Sequence, residues 1–205
     1  MQAGLIQLNH LGAQQPLAPA CGAFYFLRHG QTPRNAARIF QGPEEPLSAL
    51  GQTQAARAAA LLAGAPIRSI VCSDARRAVD TAQAVAAPHR LQPQARQALR
   101  ERNFGALIGT SSAKIDWACE PEGGEALASF FTRTRAALAA ALELPAPTLL
   151  VAHGGTLYVL AALLGVALDG RVLGNAQPLL FARNGPIWSA EALAPAGDPA
   201  LSGLS

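Results

Sequence analysis

The sequence predicts a three-layer α/β/α sandwich built on a largely parallel central sheet. Three observations carry that expectation. Short apolar runs alternate with longer Ala- and Leu-rich stretches of helical character, the order that generates βαβ units and a parallel sheet. Two of the apolar runs end in the same dipeptide, His29-Gly30 and His153-Gly154, and neighbouring parallel strands bring such ends to one edge. The chain has 205 residues, of which 50% are hydrophobic and 14% charged, so a sizeable core is within reach and disorder is not expected.

In chain order, residues 1–22 are expected to form an irregular or frayed N-terminal extension. Gln7, Asn9 and His10 interrupt its apolar stretch, no basic segment opens it as a secretory signal requires, and Pro16, Pro19 and Gly22 break it. Residues 23–205 are expected to form one domain. Ala23 to Leu27 is short, aromatic-rich and followed by a glycine turn, hence a buried strand. A polar loop runs through Pro33 to Pro46, and Ser48 caps a helix from Leu50 to Leu62, ending near Gly64. Ile67 to Cys72 reads as the second strand; Ser73 then caps a helix from Asp74 to Ala87, closed by Pro88. Leu91 to Pro121 is irregular. Glu125 to Glu143 is a long helix, with Leu127, Phe130, Phe131, Leu138 and Leu142 on its apolar side and Pro145 and Pro147 behind it. Thr148 to Ala152 is the third strand and Leu157 to Leu164 a helix. Asn175 to Ala182 and Ile187 to Leu193 form two final strands around the turn Asn184-Gly185-Pro186.

Composition narrows the partners. The net charge is +3, and the arginines are dispersed, with Lys114 the single lysine. A nucleic-acid binder gathers a larger basic excess into patches, so none is expected; a pocket for a small anion fits better. No window is long enough for a membrane span. Cys21, Cys72 and Cys119 are odd in number, far apart and without metal-ligand spacing, which points to a reduced, cytoplasmic compartment and no structural zinc. Cys72 reads as core packing. His10 and His89 lack a supporting motif and are expected at the surface. The apolar C-terminal strands leave two alternatives, pairing with a second subunit in a homodimer or packing on the core.

The chemistry begins at Leu27-Arg28-His29-Gly30-Gln31-Thr32. A cation and an imidazole stand at the carboxyl end of a strand, where open α/β sheets bind ligands. Arginine grips phosphate oxygens bidentately, and neutral imidazole is a competent nucleophile near neutral pH. Arg76-Arg77 opens a helix, against the macrodipole, and an anion held there supplies a reason. Each residue also has a plainer reading. One of the two arginines, more readily Arg76, is then simply solvated. His153 is then a core histidine bonded to a backbone carbonyl, and Glu101, between Arg100 and Arg102, an exposed ion pair. Asn35, Thr32 and Gln41 either line a phosphate site or cap turns.

In this order the segments resemble the histidine phosphatase superfamily, the phosphoglycerate-mutase-like fold. Arg28-His29-Gly30-Gln31-Thr32 is similar to its nucleophile motif. Gln41-Gly42, Pro46-Leu47-Ser48 and Gly51-Gln52 resemble the loop and helix start that follow. Ser73 to Ala82 resembles the Ser-x-x-x-Arg-Ala-x-x-Thr-Ala element and selects Arg77 as the phosphate ligand. Leu99 to Gly105 resembles the acid-bearing segment, and Gly123-Gly124-Glu125 and His153-Gly154-Gly155 complete the series. The match runs from about Ala23 to Trp188. The resemblance implies His29 as nucleophile, Glu101 as acid and base, and His153 completing the catalytic set. It implies Arg28, Arg77, Asn35, Thr32, Gln41 and Gly154 around the phosphate, with no metal and no cofactor.

Three functions compete. Glu101 to Leu107 resembles cofactor-dependent phosphoglycerate mutases, and Leu107 and Ile108 stand where many phosphatases of the family have Trp and Glu. Mutases, however, carry a long basic insertion after this segment, whereas a short, nearly uncharged stretch separates Lys114 from Gly123 here. Loss of the catalytic set would mark a non-catalytic phospholigand binder, and the set is present. The expectation is a phosphomonoesterase acting on a small phosphorylated metabolite. Leu107, Ile108, Trp117 and Ser111-Ser112 form its partly apolar lid, which suits a larger organic phosphate.

Overall fold

The computed structural model describes residues 2–194. Residues 195–205, assigned by sequence to the same domain, lie outside the described residues. Six strands form one sheet in the order β3-β2-β4-β1-β5-β6. They are β1 (Ala23–Arg28), β2 (Ser69–Ser73), β3 (Gln94–Arg96), β4 (Thr148–Ala152), β5 (Pro178–Asn184) and β6 (Ile187–Ala192). From β3 to β1 every pairing is parallel; β5 joins β1 antiparallel and β6 returns from it as a hairpin. The sheet is therefore mixed, a parallel core of four strands with an antiparallel edge.

Alternation along the strands builds two cores. Phe24 and Phe26 of β1 face α5 (Leu127–Leu142) and α6 (Gly154–Leu164), together with Leu8. Tyr25 and Leu27 face α3 (Ala49–Leu62) and α4 (Arg76–His89), whose Ala58, Leu62, Ala82 and Val85 are buried. A strand that buries both faces needs apolar residues at successive positions, which is why β1, β2 and β4 read as continuous apolar runs.

Four expectations are corrected. Residues 1–22 are not merely irregular: Gln2–Gln14 is a helix, α1, packed on α6, with Leu8 1% exposed. Ser73 does not cap α4. It ends β2, fully buried, and its hydroxyl accepts from Ala75 N at 3.2 Å, two residues too early to reach the helix that starts at Arg76. Pro88 does not close that helix either; it sits in the last turn, and Arg90, at φ 55°, turns the chain out in the left-handed conformation. His89 is half-buried rather than exposed. The 91–121 region holds the short edge strand β3, and Cys72 lies in the core as expected. Among the described residues no helix is long and apolar enough to cross a membrane.

Candidate active site

The strand order sets the site. β2, β4 and β1 are adjacent and parallel, so Ser73, Ala152 and Arg28 end at one edge. His29 follows β1 and holds that edge through its amide, which donates to the Ala152 carbonyl at 2.9 Å. His153 follows β4 as the N-cap of α6, and Arg77 enters from the first turn of α4. Thr81, one turn further along α4, accepts from Gly30 N at 3.0 Å and donates to the Arg77 carbonyl at 2.7 Å. One hydroxyl thus ties the loop after β1 to the helix that carries Arg77.

Hydrogen bonds determine the tautomers. His29 Nδ1 lies 2.7 Å from the Gly30 carbonyl and Arg77 Nε donates to His29 Nε2 at 3.2 Å. The ring proton is therefore on Nδ1, and Nε2 carries a lone pair facing the cavity. Arg77 Nη2 lies 3.4 Å from His153 Nδ1 and has no lone pair to accept with, so it donates and leaves the His153 proton on Nε2. The two imidazole centroids are 5.2 Å apart. Both rings are buried, at 2% and 0% exposure. Burial first, and then the Arg77 and Arg28 guanidiniums, hold both imidazoles well below their usual range, so they are neutral at pH 7. Burial likewise pushes Arg77 down to about 10 and lowers Arg28.

Among the described residues, two donors in this pocket have no partner. Arg28 Nη1 donates to the Leu173 carbonyl at 2.7 Å, but its buried Nε donates to nothing, nor does the buried Nε2 of His153. Each such orphan costs about 1–3 kcal/mol. Both residues line a cavity of about 230 Å³ with His29, Arg77, Glu101 and Asn35.

Glu101 reaches the pocket by a backbone grip rather than a salt bridge. Its Oε1 accepts from Arg102 N and its Oε2 from Gly155 N, both at 2.9 Å. Its sequence neighbours are engaged elsewhere, Arg100 with Asp74 and Arg102 with backbone carbonyls, so the ion-pair reading fails. Gly155 is the glycine this arrangement requires, because a Cβ there would run into Glu101 Oε1 and the Trp117 ring. Gly154 also lines the cavity, with only ordinary contact room toward Arg28.

The remaining expected ligands separate. Gln41 and Asn35 line the cavity. Thr32 does not: its buried hydroxyl caps α2 (Pro33–Ala36) by accepting from Asn35 N at 3.0 Å and donates to Gln41 Oε1 at 2.8 Å. It acts on the site only by orienting Gln41. Arg76 is solvated and paired with Asp80 at 3.9 Å. Of the expected lid, Trp117 and Ser112 line this cavity and Ile108 a second cavity beside it, while Leu107 and Ser111 line neither. Sequence reasoning missed Asn175, whose Nδ2 donates to the His29 carbonyl at 2.9 Å, and Tyr158 in the cavity wall. No local pattern marks either. Among the described residues no group of three His, Cys, Asp or Glu side chains could hold a metal ion.

The chain is similar to several known proteins. Agropine synthesis reductase of Rhizobium rhizogenes is 37% identical over 198 residues, covering 91% of this chain and 45% of that protein, so the chain spans less than half of that relative's length. Glucosyl-3-phosphoglycerate phosphatase of Mycobacterium tuberculosis is 36% identical over 164 residues, 67% of this chain and 73% of that one. The solved structure of a mycobacterial glucosyl-3-phosphoglycerate phosphatase with VO3 superimposes with a TM-score of 0.70 at 30% identity, covering 84% of this chain and 98% of that one. A family model described as histidine phosphatase superfamily (branch 1) matches residues 24–175, and the chain belongs to that family.

Proposed function

We propose that the protein is a phosphomonoesterase that hydrolyses a small organic phosphate through a phosphohistidine on His29. One observation carries the reading: Arg28 Nε and His153 Nε2, two buried donors without partners among the described residues, share a cavity with Arg77 and with His29, whose unprotonated Nε2 accepts only from Arg77 Nε. A tetrahedral anion fills that vacancy. Its oxygens accept from Arg28, Arg77 and His153 while its phosphorus faces His29.

The steps follow from the groups available. His29 Nε2 attacks phosphorus in line, forming an N–P bond as the bond to the ester oxygen breaks. Nδ1–H stays on the Gly30 carbonyl and stabilises the developing positive charge on the ring. Glu101 gives a proton to the leaving oxygen. It then takes a proton from water, which attacks phosphorus, breaks the N–P bond and releases inorganic phosphate. The arginines spread over the charge of a loose transition state, the role that a divalent ion fills in other phosphoryl transferases. The substrate is a phosphorylated metabolite in the cytoplasm. The likeness to glucosyl-3-phosphoglycerate phosphatase supports the phosphatase reading, and an equal 36% identity to a probable phosphoglycerate mutase of Yersinia enterocolitica makes the mutase the alternative to test.

Phosphate release from p-nitrophenyl phosphate and a panel of sugar, nucleotide and glycerate phosphates, in the presence of chelator, tests it. Wild type is expected to turn over and His29→Ala to lose at least about 10³-fold in kcat. Equal rates for the two proteins overturn the mechanism. Interconversion of phosphoglycerates stimulated by a bisphosphate would replace it with the mutase alternative.

A further inference from the structure

We infer that the substrate is the phosphomonoester of a bulky alcohol that carries no second anionic group, seated in a cavity beside the phosphate pocket. This rests on the phosphomonoesterase reading, which puts the phosphate between Arg28, Arg77 and His153.

The neighbouring cavity has a volume of about 580 Å³. Gln41, Arg77, Glu101 and Phe104 line both cavities, so the two meet at the proposed acid, where the ester oxygen departs. That volume is in the range that binds a whole organic molecule. Pro43, Ala75, Ala98 and Ile108 make part of its wall apolar.

Three further arginines border the same space, and by count alone they advertise a second anion site. Their hydrogen bonds say otherwise. Arg133 grips Glu125 through Nε and Nη2 at 2.9 and 2.7 Å, and its Nη1 donates to the carbonyls of Ala98 and Arg100. Arg100 holds Asp74 through Nε and Nη2 at 2.6 and 2.8 Å. Arg102 is only 2% exposed and donates to the carbonyls of Glu125, Trp117 and Cys119. On this side the paired Nε and Nη2 donors of Arg133 and Arg100 are each held by a carboxylate, and Arg102 is held by backbone carbonyls.

Of the remaining cations, Arg28 lines only the phosphate pocket, and Arg77, which borders both cavities, already donates to His29, the Gly42 carbonyl and His153. A carboxylate or second phosphate in the larger cavity would lose water while competing with Asp74 and Glu125 for cations already engaged, and it would lie near Glu101 and Glu125. Desolvating an unpaired charge is costly, whereas a ring, an alkyl chain or a hydroxylated neutral group meets apolar wall and amide side chains at little cost.

A matched pair of esters tests the inference: para-carboxyphenyl phosphate and its carboxylate methyl ester, which are alike in bulk and differ by one charge. Titration calorimetry on His29→Ala protein reads binding without turnover. The neutral ester is expected to bind about tenfold or more tightly, and wild-type kcat/KM to follow the same order. Ile108→Arg supplies a free cation at the cavity wall and is expected to bring the ratio toward one. Equal or tighter binding of the carboxylate overturns the inference. Preference for the neutral ester with no hydrolysis by wild type supports the inference about the cavity and overturns the phosphatase reading instead.

Discussion

His29 shows how much of a reactive group lies in its hydrogen bonds. The motif puts an imidazole at a strand end, but its usable atom is decided by the Gly30 carbonyl on one nitrogen and Arg77 Nε on the other. The residue types were legible in the sequence because arginine, histidine and glycine at a strand end have few structural reasons to be there. The tautomers were not, since both depend on Arg77, which comes from another element. Glu101 is the clearest lesson. Between two arginines it looks like a surface ion pair, and only the Gly155 amide, 54 positions along the chain, identifies the group it addresses. On the proposed mechanism Glu101→Gln keeps the side chain's shape and one of the two backbone bonds but cannot move a proton. We expect kcat to fall about 10²- to 10⁴-fold with an alkyl phosphate, and much less with p-nitrophenyl phosphate, whose oxygen leaves without protonation. Equal losses on the two substrates, in steady-state assays, would remove Glu101 from the acid role.

At the scale of elements, the long apolar strands were legible and the ends and edges were not. β3 is three residues long and carries Gln94 and Arg96, so no apolar run announces it; it forms because β2 offers an open edge. Helix α1 was missed for a physical reason as well. Leu5, Leu8 and Leu11 have helical spacing, but Gly4 and Gly12 lower its propensity and no capping residue marks its start. Those glycines are what let it pack: a Cβ at Gly4 would strike Trp117, and one at Gly12 the Ala162 carbonyl of α6. Trp117 in turn walls the phosphate cavity. Gly4→Val is therefore expected to cost about 1–3 kcal/mol and to lower kcat/KM as the indole shifts. Thermal unfolding reads the first effect, and tryptophan emission, from just two indoles in the chain, reads the displacement.

For the whole molecule, two neutral imidazoles in the core couple folding to acidity. Unfolded, His29 and His153 titrate at about 6.5; folded, burial and the adjacent arginines hold both well below that. Between the depressed folded value and about 6.5 the unfolded chain binds protons that the folded chain refuses, so stability rises with pH through that window and is fully present above it. The thermal midpoint is expected to fall as pH drops from about 7 to about 5, and to fall less steeply in His29→Ala, as calorimetry across that range can check.

The place of β1 in the sheet has a consequence for how the molecule comes into being. Its two neighbours are both drawn from far along the chain: Leu27 stands beside Val151 on one side and Pro178 on the other. During synthesis the proposed nucleophile does not have both strand neighbours of β1 until Pro178 has been made. Such distant pairings must close long loops before any contact rewards them, which slows folding. The proposed nucleophile is thus held in place only once the late strands β4 and β5 have joined β1.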